Sequence, residues 1–94
     1  MSESIVSNEK VCFRCRTTQN LARHHIFYGS ANRKISEKYG CWIWLCARHH
    51  NMSDEGIHFD HEYDTEIKQM CQEEWEKRNG DRAAFIRVFG KSYL

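Results

Sequence analysis

The chain contains no proline and only five glycines among its 94 residues. Without proline there is no Pro-rich linker or polyproline segment, and without repeats or low-complexity tracts nothing marks an internal boundary. One small domain is therefore expected. Long apolar runs are missing as well. No stretch approaches the roughly 20 residues that span a bilayer, and the polar opening "MSESIVSNEK" lacks the apolar centre of a secretory signal, so neither is expected. Cysteine is present five times, an odd number that rules out a fully paired disulfide framework. A reducing cytoplasm is the expected setting, and there clustered Cys and His favour metal over disulfide.

The charge that is present is unevenly spread. Residues 1–50 hold eight Lys/Arg against three Glu, a net of +5, whereas residues 51–94 hold six basic against ten acidic, a net of −4. The basic half also carries most of the Cys and His, and a positive face beside such a cluster suits a phosphate-bearing partner.

Along the chain, residues 1–9 read as a flexible tail and residues 10–94 as the domain. "VCFRCRT" predicts a knuckle, two cysteines around a tight turn. "NLARHHIFYG" predicts a short strand closed by "GSANR", and "KISEKYG" a loop or short helix ending at Gly40. "CWIWLC", aromatic and apolar, predicts a second strand that buries at least one face. Together they make a β-hairpin with a long, basic connection. After Cys46, "CARHHNMSDE" suggests a short helix stopped by Gly56. "DTEIKQMCQEEWEKRNG" predicts a longer helix with Asp64 as N-cap, Lys77 and Arg78 in its last turn and Gly80 beyond. Its positions Ile67, Met70, Cys71 and Trp75 form an apolar stripe for packing on the hairpin. Asp81 then caps a last short helix, "RAAFIRVF", closed by Gly90. The expected class is α+β: a hairpin-and-helix finger over 10–60, then C-terminal helices over 61–94.

Cys12-x2-Cys15 and Cys46-x2-His49 make a set of three Cys and one His, the donor types of closed tetrahedral zinc sites. Such an ion contributes on the order of 10 kcal/mol of folding free energy, which suits a core this small. The spacing Cys46-x3-His50 is an open alternative. Cys41 and Cys71 have no partner pair and are expected to be buried as small hydrophobes. His24 and His25 are adjacent on a strand, so they face opposite ways, and one can bind a metal while the other takes a proton. His50 lies about 100° around the helix from His49, on the same side as Asp54. His24, His50 and His58 can therefore build a second, open site of catalytic layout. His61 lies nearby.

A Cys-x2-Cys knuckle, a strand ending in His-His, and a second strand running into "LCARHH" before a helix resemble the zinc-containing HNH endonucleases, also called His-Me or ββα-metal fingers. More narrowly, "RHHIFYGSANRKISEKYG", "WLCARHHNMSDEGIHF" and the tail "FIRVFGKSYL" look like small phage and prophage HNH-type proteins. The resemblance implies a zinc-stapled ββα-metal finger that hydrolyses phosphodiester bonds in nucleic acid, DNA first, inside a bacterial host. It implies His24 as a ligand of the catalytic metal, His25 as the general base, and His50 or His58 completing the ligand set. A catalytic divalent ion (Mg²⁺, Mn²⁺, Ni²⁺ or Zn²⁺) would act beside structural Zn²⁺. Arg23, Arg33 and Lys34 would hold the phosphate backbone, and the basic loop 29–40 would reach the groove.

The family's middle Asn, which orients the base, has no counterpart in "KYGCWIWLC". Asn32, or another group, must stand in. That gap favours a competing expectation, a non-catalytic zinc protein that binds nucleic acid or serves as an accessory or inhibitor. A third is a zinc-stapled protein working only through its acidic C-terminal helices.

Overall fold

The computed structural model describes residues 3–50 and 56–94. Two strands, β1 (Leu21–His25) and β2 (Trp42–Cys46), pair antiparallel in the register Arg23 to Trp44 and His24 to Ile43. Helix α1 (Ser30–Tyr39) connects them. Beyond β2 come α2 (Ala47–His50), a 3₁₀ turn at Ile57–Phe59, α3 (His61–Asn79) and α4 (Arg82–Phe89). The chain is a small α+β protein built on a two-stranded hairpin with helices. No helix among the described residues is long and apolar enough to cross a membrane.

Strand alternation sorts the hairpin into two faces. Ala22, His24, Ile43 and Leu45 share one, and His24, Ile43 and Leu45 are buried there. Arg23, His25, Trp42 and Trp44 share the other. Below the hairpin, an aromatic core gathers Phe27, Trp75, Phe85 and Phe89, with Phe27 4.6 Å from Phe89 and Trp75 5.4 Å from Phe85 between ring centroids. Tilted and edge-on pairs of this kind add to the burial of large apolar area.

Several expectations are corrected by these contacts. The segment read as a flexible tail is pinned from residue 4: Ser4 Oγ donates to the Trp42 carbonyl at 2.6 Å, and Ile5 N donates to Gly40 O at 2.9 Å. Ser4 is buried, and Ile5 and Val6 pack on the core. Of the loop or short helix expected before Gly40, the structure has the helix, and it begins as early as Ser30, so the groove-reaching loop expected over 29–40 is helical. Ile35 and Tyr39 face the core, and the buried Ser36 hydroxyl donates to Phe27 O at 2.7 Å, which ties α1 to the end of β1. Gly40 closes it in the left-handed region at φ 75°, and a Cβ there would fall on the Glu3 carbonyl.

The N-cap of α3 is Asp60 rather than Asp64. Asp60 accepts from Tyr63 N at 3.1 Å, whereas Asp64 is buried inside the helix, where it accepts from Lys68 at 2.8 Å and from the Tyr28 hydroxyl at 3.0 Å. Met70 is exposed, while Ile67, Cys71 and Trp75 form the buried stripe with Gln72 beside them. Cys41 and Cys71 are both fully buried, as expected, but they are partners: the neighbouring Cys41 thiol pushes the Cys71 thiol well above its ordinary pKa. At the C-terminal end, Asp81 caps α4 and Gly90 ends it at φ 96°, as the sequence predicts. Asp54 and the end of the helix begun at Ala47 lie outside the described residues.

Candidate functional site

The knuckle is a tight turn in which Cys12 N donates to Thr17 O and Arg16 N donates to Cys12 O, both at 2.8 Å. Arg16 adopts a left-handed φ of 68° to close it. The turn faces the end of β2 and the start of α2. Cys12 Sγ lies 3.6 Å from His49 Nδ1, Cys46 Sγ 3.4 Å from the same atom, and Cys15 Sγ 3.7 Å from Cys46 Sγ. All four donors lie within 4.8 Å of one another, so Cys12, Cys15, Cys46 and His49 can hold one metal ion. His49, not His50, faces the thiols. Burial pushes the Cys12 thiol up, yet backbone donors of Cys46, Cys15 and Arg14, with His49, bring it down to about 6, which favours the thiolate that metals bind.

On the inner side of the hairpin, His24 meets His50 from α2 and His58 from the 3₁₀ turn. Their donor nitrogens also lie within 4.8 Å of one another, with His50 Nε2 and His58 Nε2 3.4 Å apart. His24 Nε2 is buried without a partner among the described residues. Burial, then the neighbouring His50 and His58, depresses its pKa to about 3, and burial with His58 lowers that of His50. Three imidazoles whose ring nitrogens converge, one of them orphaned, are a donor set that a cation would satisfy. Tyr28, which the sequence reading passed over, closes the group: its ring stands 5.1 Å from His58.

This group opens into a cavity of about 230 Å³ whose wall also includes Arg23, His25 and Arg33. A shallower groove of about 520 Å³ adjoins it, lined by Arg23, His25, Arg33, Lys34 and Glu37. His25 thus stands between the two. Its Nε2 lies 2.8 Å from Glu37 Oε2, and Glu37 Oε1 accepts from Arg23. Burial alone would raise the Glu37 pKa, but the hydrogen bond from His25 and the Arg23 charge hold it below the usual range.

The sequence-named residues therefore divide cleanly. The four knuckle residues converge, and so do His24, His50 and His58. Arg33 and Lys34 are exposed on the groove wall. Arg23 lines both cavities, but its guanidinium is committed to Glu37 and to the face of Trp42, 3.9 Å from the ring centroid. Asn32 does not reach His25; its amide donates to Phe89 O at 3.1 Å. His61 lies apart, beside Glu62 and Glu66 on a separate acidic surface. Glu37 was missed because its place beside His25 depends on residues 30–39 being helical, which puts it one turn beyond Arg33.

Fold and site together define a small α+β protein with two separate Cys/His groups, each able to hold a metal ion. No family model, curated protein or solved structure matches the chain.

Proposed function

We propose that the chain is a metal-dependent endonuclease of the HNH (His-Me finger) type, hydrolysing phosphodiester bonds in nucleic acid, with DNA the first substrate to test. The observation that carries the reading is the division of the adjacent histidines. His24 enters a three-histidine group on one face of β1, while His25 stands on the other face against a carboxylate at the mouth of the cavity. A binding module has no need of a free base beside a ligand.

β1, β2 and α2 form the ββα finger in this reading, and the knuckle is its structural zinc site. Tetrahedral bonds of about 2.3 Å to sulfur and about 2.0 Å to nitrogen place donors roughly 3.5–3.8 Å apart. The observed 3.4–3.7 Å separations match that spacing. His24, His50 and His58 would hold the second cation, which supplies positive charge against the phosphate and the leaving oxygen. His25 takes the proton of the attacking water, a role worth roughly 10²–10⁴ in rate. Arg33 and Lys34 steady the phosphate backbone and carry no sequence information.

Nicking of supercoiled plasmid with Mg²⁺, Mn²⁺, Ni²⁺ or Zn²⁺ tests this, comparing the zinc-loaded protein with a folded His25→Ala variant. Metal-dependent nicking lost in the variant is expected. No cleavage of DNA or RNA by the folded protein would overturn the reading in favour of a zinc-stapled binding or accessory protein.

A further inference from the structure

Among the described residues, Glu37 is the one acidic side chain lining either cavity beside His25. It sits on α1, and the bonds of the neighbouring Ser36 to Phe27 N and O, 3.2 and 2.7 Å, fix that helix against the end of β1. One carboxylate oxygen faces His25 Nε2 at 2.8 Å and the other accepts from Arg23 Nη1. Arg23 is in turn seated on Trp42, which is buried. A connected line of side chains, Trp42, Arg23, Glu37 and His25, thus runs from the packed hairpin to the cavity.

We infer that Glu37 is the positioning residue of His25: it holds the imidazole with its proton on Nε2 and leaves Nδ1 as the atom that accepts a proton. The part Nδ1 plays in hydrolysis rests on the endonuclease reading above; the tautomer does not. An ionised carboxylate only accepts hydrogen bonds, so the ring nitrogen facing it must be the donor. A neutral imidazole has one N–H, and the lone pair therefore lies on Nδ1. In the reaction, the water proton moves to Nδ1, the water oxygen forms the bond to phosphorus, and the bond from phosphorus to the leaving oxygen breaks. The leaving oxygen departs as an alkoxide and is protonated by solvent. Glu37 stays ionised and stabilises the imidazolium that forms, as a carboxylate does behind a catalytic His in acyl transfer. It fills the place for which the sequence offers no Asn.

Arg23 makes the inference sharply testable. In a Glu37→Gln variant the guanidinium still demands an oxygen, so the amide oxygen turns to Arg23 and the amide NH₂ to His25. Nε2 must then accept, the proton moves to Nδ1, and the base has no lone pair where it is needed. Glu37→Ala removes the constraint and leaves both tautomers populated. Nitrogen NMR of His25 in the full-length, zinc-loaded protein, at a pH where the ring is neutral, reads this directly. The expected pattern is Nε2–H in the unmodified protein, a mixture in Glu37→Ala and Nδ1–H in Glu37→Gln.

Plasmid turnover should fall by roughly 10²–10⁴ in Glu37→Gln and by less in Glu37→Ala, with KM little changed in either. A merely structural Glu37 gives the opposite order, because the isosteric Gln disturbs packing less than Ala. An unmodified protein protonated at Nδ1, or a Glu37→Gln variant that keeps the Nε2–H form, overturns the inference. The expected tautomer pattern without any cleavage retires the endonuclease reading and leaves the positioning role standing. Cleavage that is indifferent to Glu37→Gln does the reverse.

Discussion

Stripping the metal from the Cys12, Cys15, Cys46 and His49 group is expected to abolish cooperative folding, not merely to loosen a corner. Cys12 and Cys46 belong to the buried core, 0% and 6% exposed, and the group joins the knuckle to the junction of β2 and α2. What remains without it is a hairpin of two five-residue strands, marginal by itself, leaning on an aromatic cluster. A structural zinc ion contributes roughly 10–16 kcal/mol of apparent binding free energy in small finger peptides. The whole stability of a domain is about 5–15 kcal/mol. The ion's share is thus of the same size as the margin. Circular dichroism melts of the zinc-loaded and chelated protein, with metal content measured alongside, should show a cooperative transition only in the first. A double variant at the other group, His50→Ala with His58→Ala, should keep the transition, because those side chains are half-buried or exposed and carry little of the core. A chelated, demonstrably metal-free protein that melts cooperatively within a few degrees of the loaded one would refute the reasoning.

Acid should weaken the fold through His24, whose pKa is depressed from 6.5 to about 3 by burial and by His50 and His58. The unfolded chain takes up the proton first, so this contribution is complete above about 6.5 and is lost as pH falls towards 3, at about 1.4 kcal/mol per unit. A His24→Leu variant with the knuckle loaded should lose stability less steeply on acidification; parallel slopes would contradict this. Gly40→Ala should cost about 1–3 kcal/mol, because φ is 75° and the new Cβ meets the Glu3 carbonyl. Limited proteolysis should then show residues 3–8 detached, and unchanged protection would refute it. Asp64→Ala should cost about 3–5 kcal/mol in a denaturant titration, since it leaves the half-buried Lys68 without its carboxylate; a loss near 1 kcal/mol, that of an ordinary cap, would show the pair to be unimportant.

The knuckle was legible because metal-ligand spacing is a local constraint: two residues between donors leave the chain little choice but a turn. The strands and α4 were legible for similar reasons, an aromatic run in one case and Asp and Gly punctuation in the other. Helix α1 was not. Among its described residues the apolar side chains that turn inward are Ile35 and Tyr39, too few to raise a periodic signal, and the buried Ser36 between them bonds the Phe27 backbone. The stripe of α3 misled in a related way. Ile67, Cys71 and Trp75 follow one another at intervals of four, which places Met70 on the flank. Gln72 is fully buried there because Tyr93 N and Ser92 Oγ bond its amide at 2.7 and 2.9 Å. Both partners lie at the far end of the chain, and no local pattern announces such a bond.

The candidate site shows the same divide at higher stakes. That His24 and His25 face opposite ways follows from strand geometry alone, and the register with Ile43 and Trp42 delivers it. Which group stands behind His25 depends instead on α1 packing at one particular angle, twelve residues downstream. The sequence offered Asn32, the residue type the resemblance calls for, on the same segment. Helical geometry separates the two: five residues apart, Asn32 and Glu37 sit more than a turn from each other along α1, and the amide goes to Phe89 while the carboxylate goes to His25. A carboxylate is also the stronger choice in that position. It can only accept, so it commits the histidine to one tautomer, whereas an amide offers both a donor and an acceptor and leaves that decision to its other neighbours.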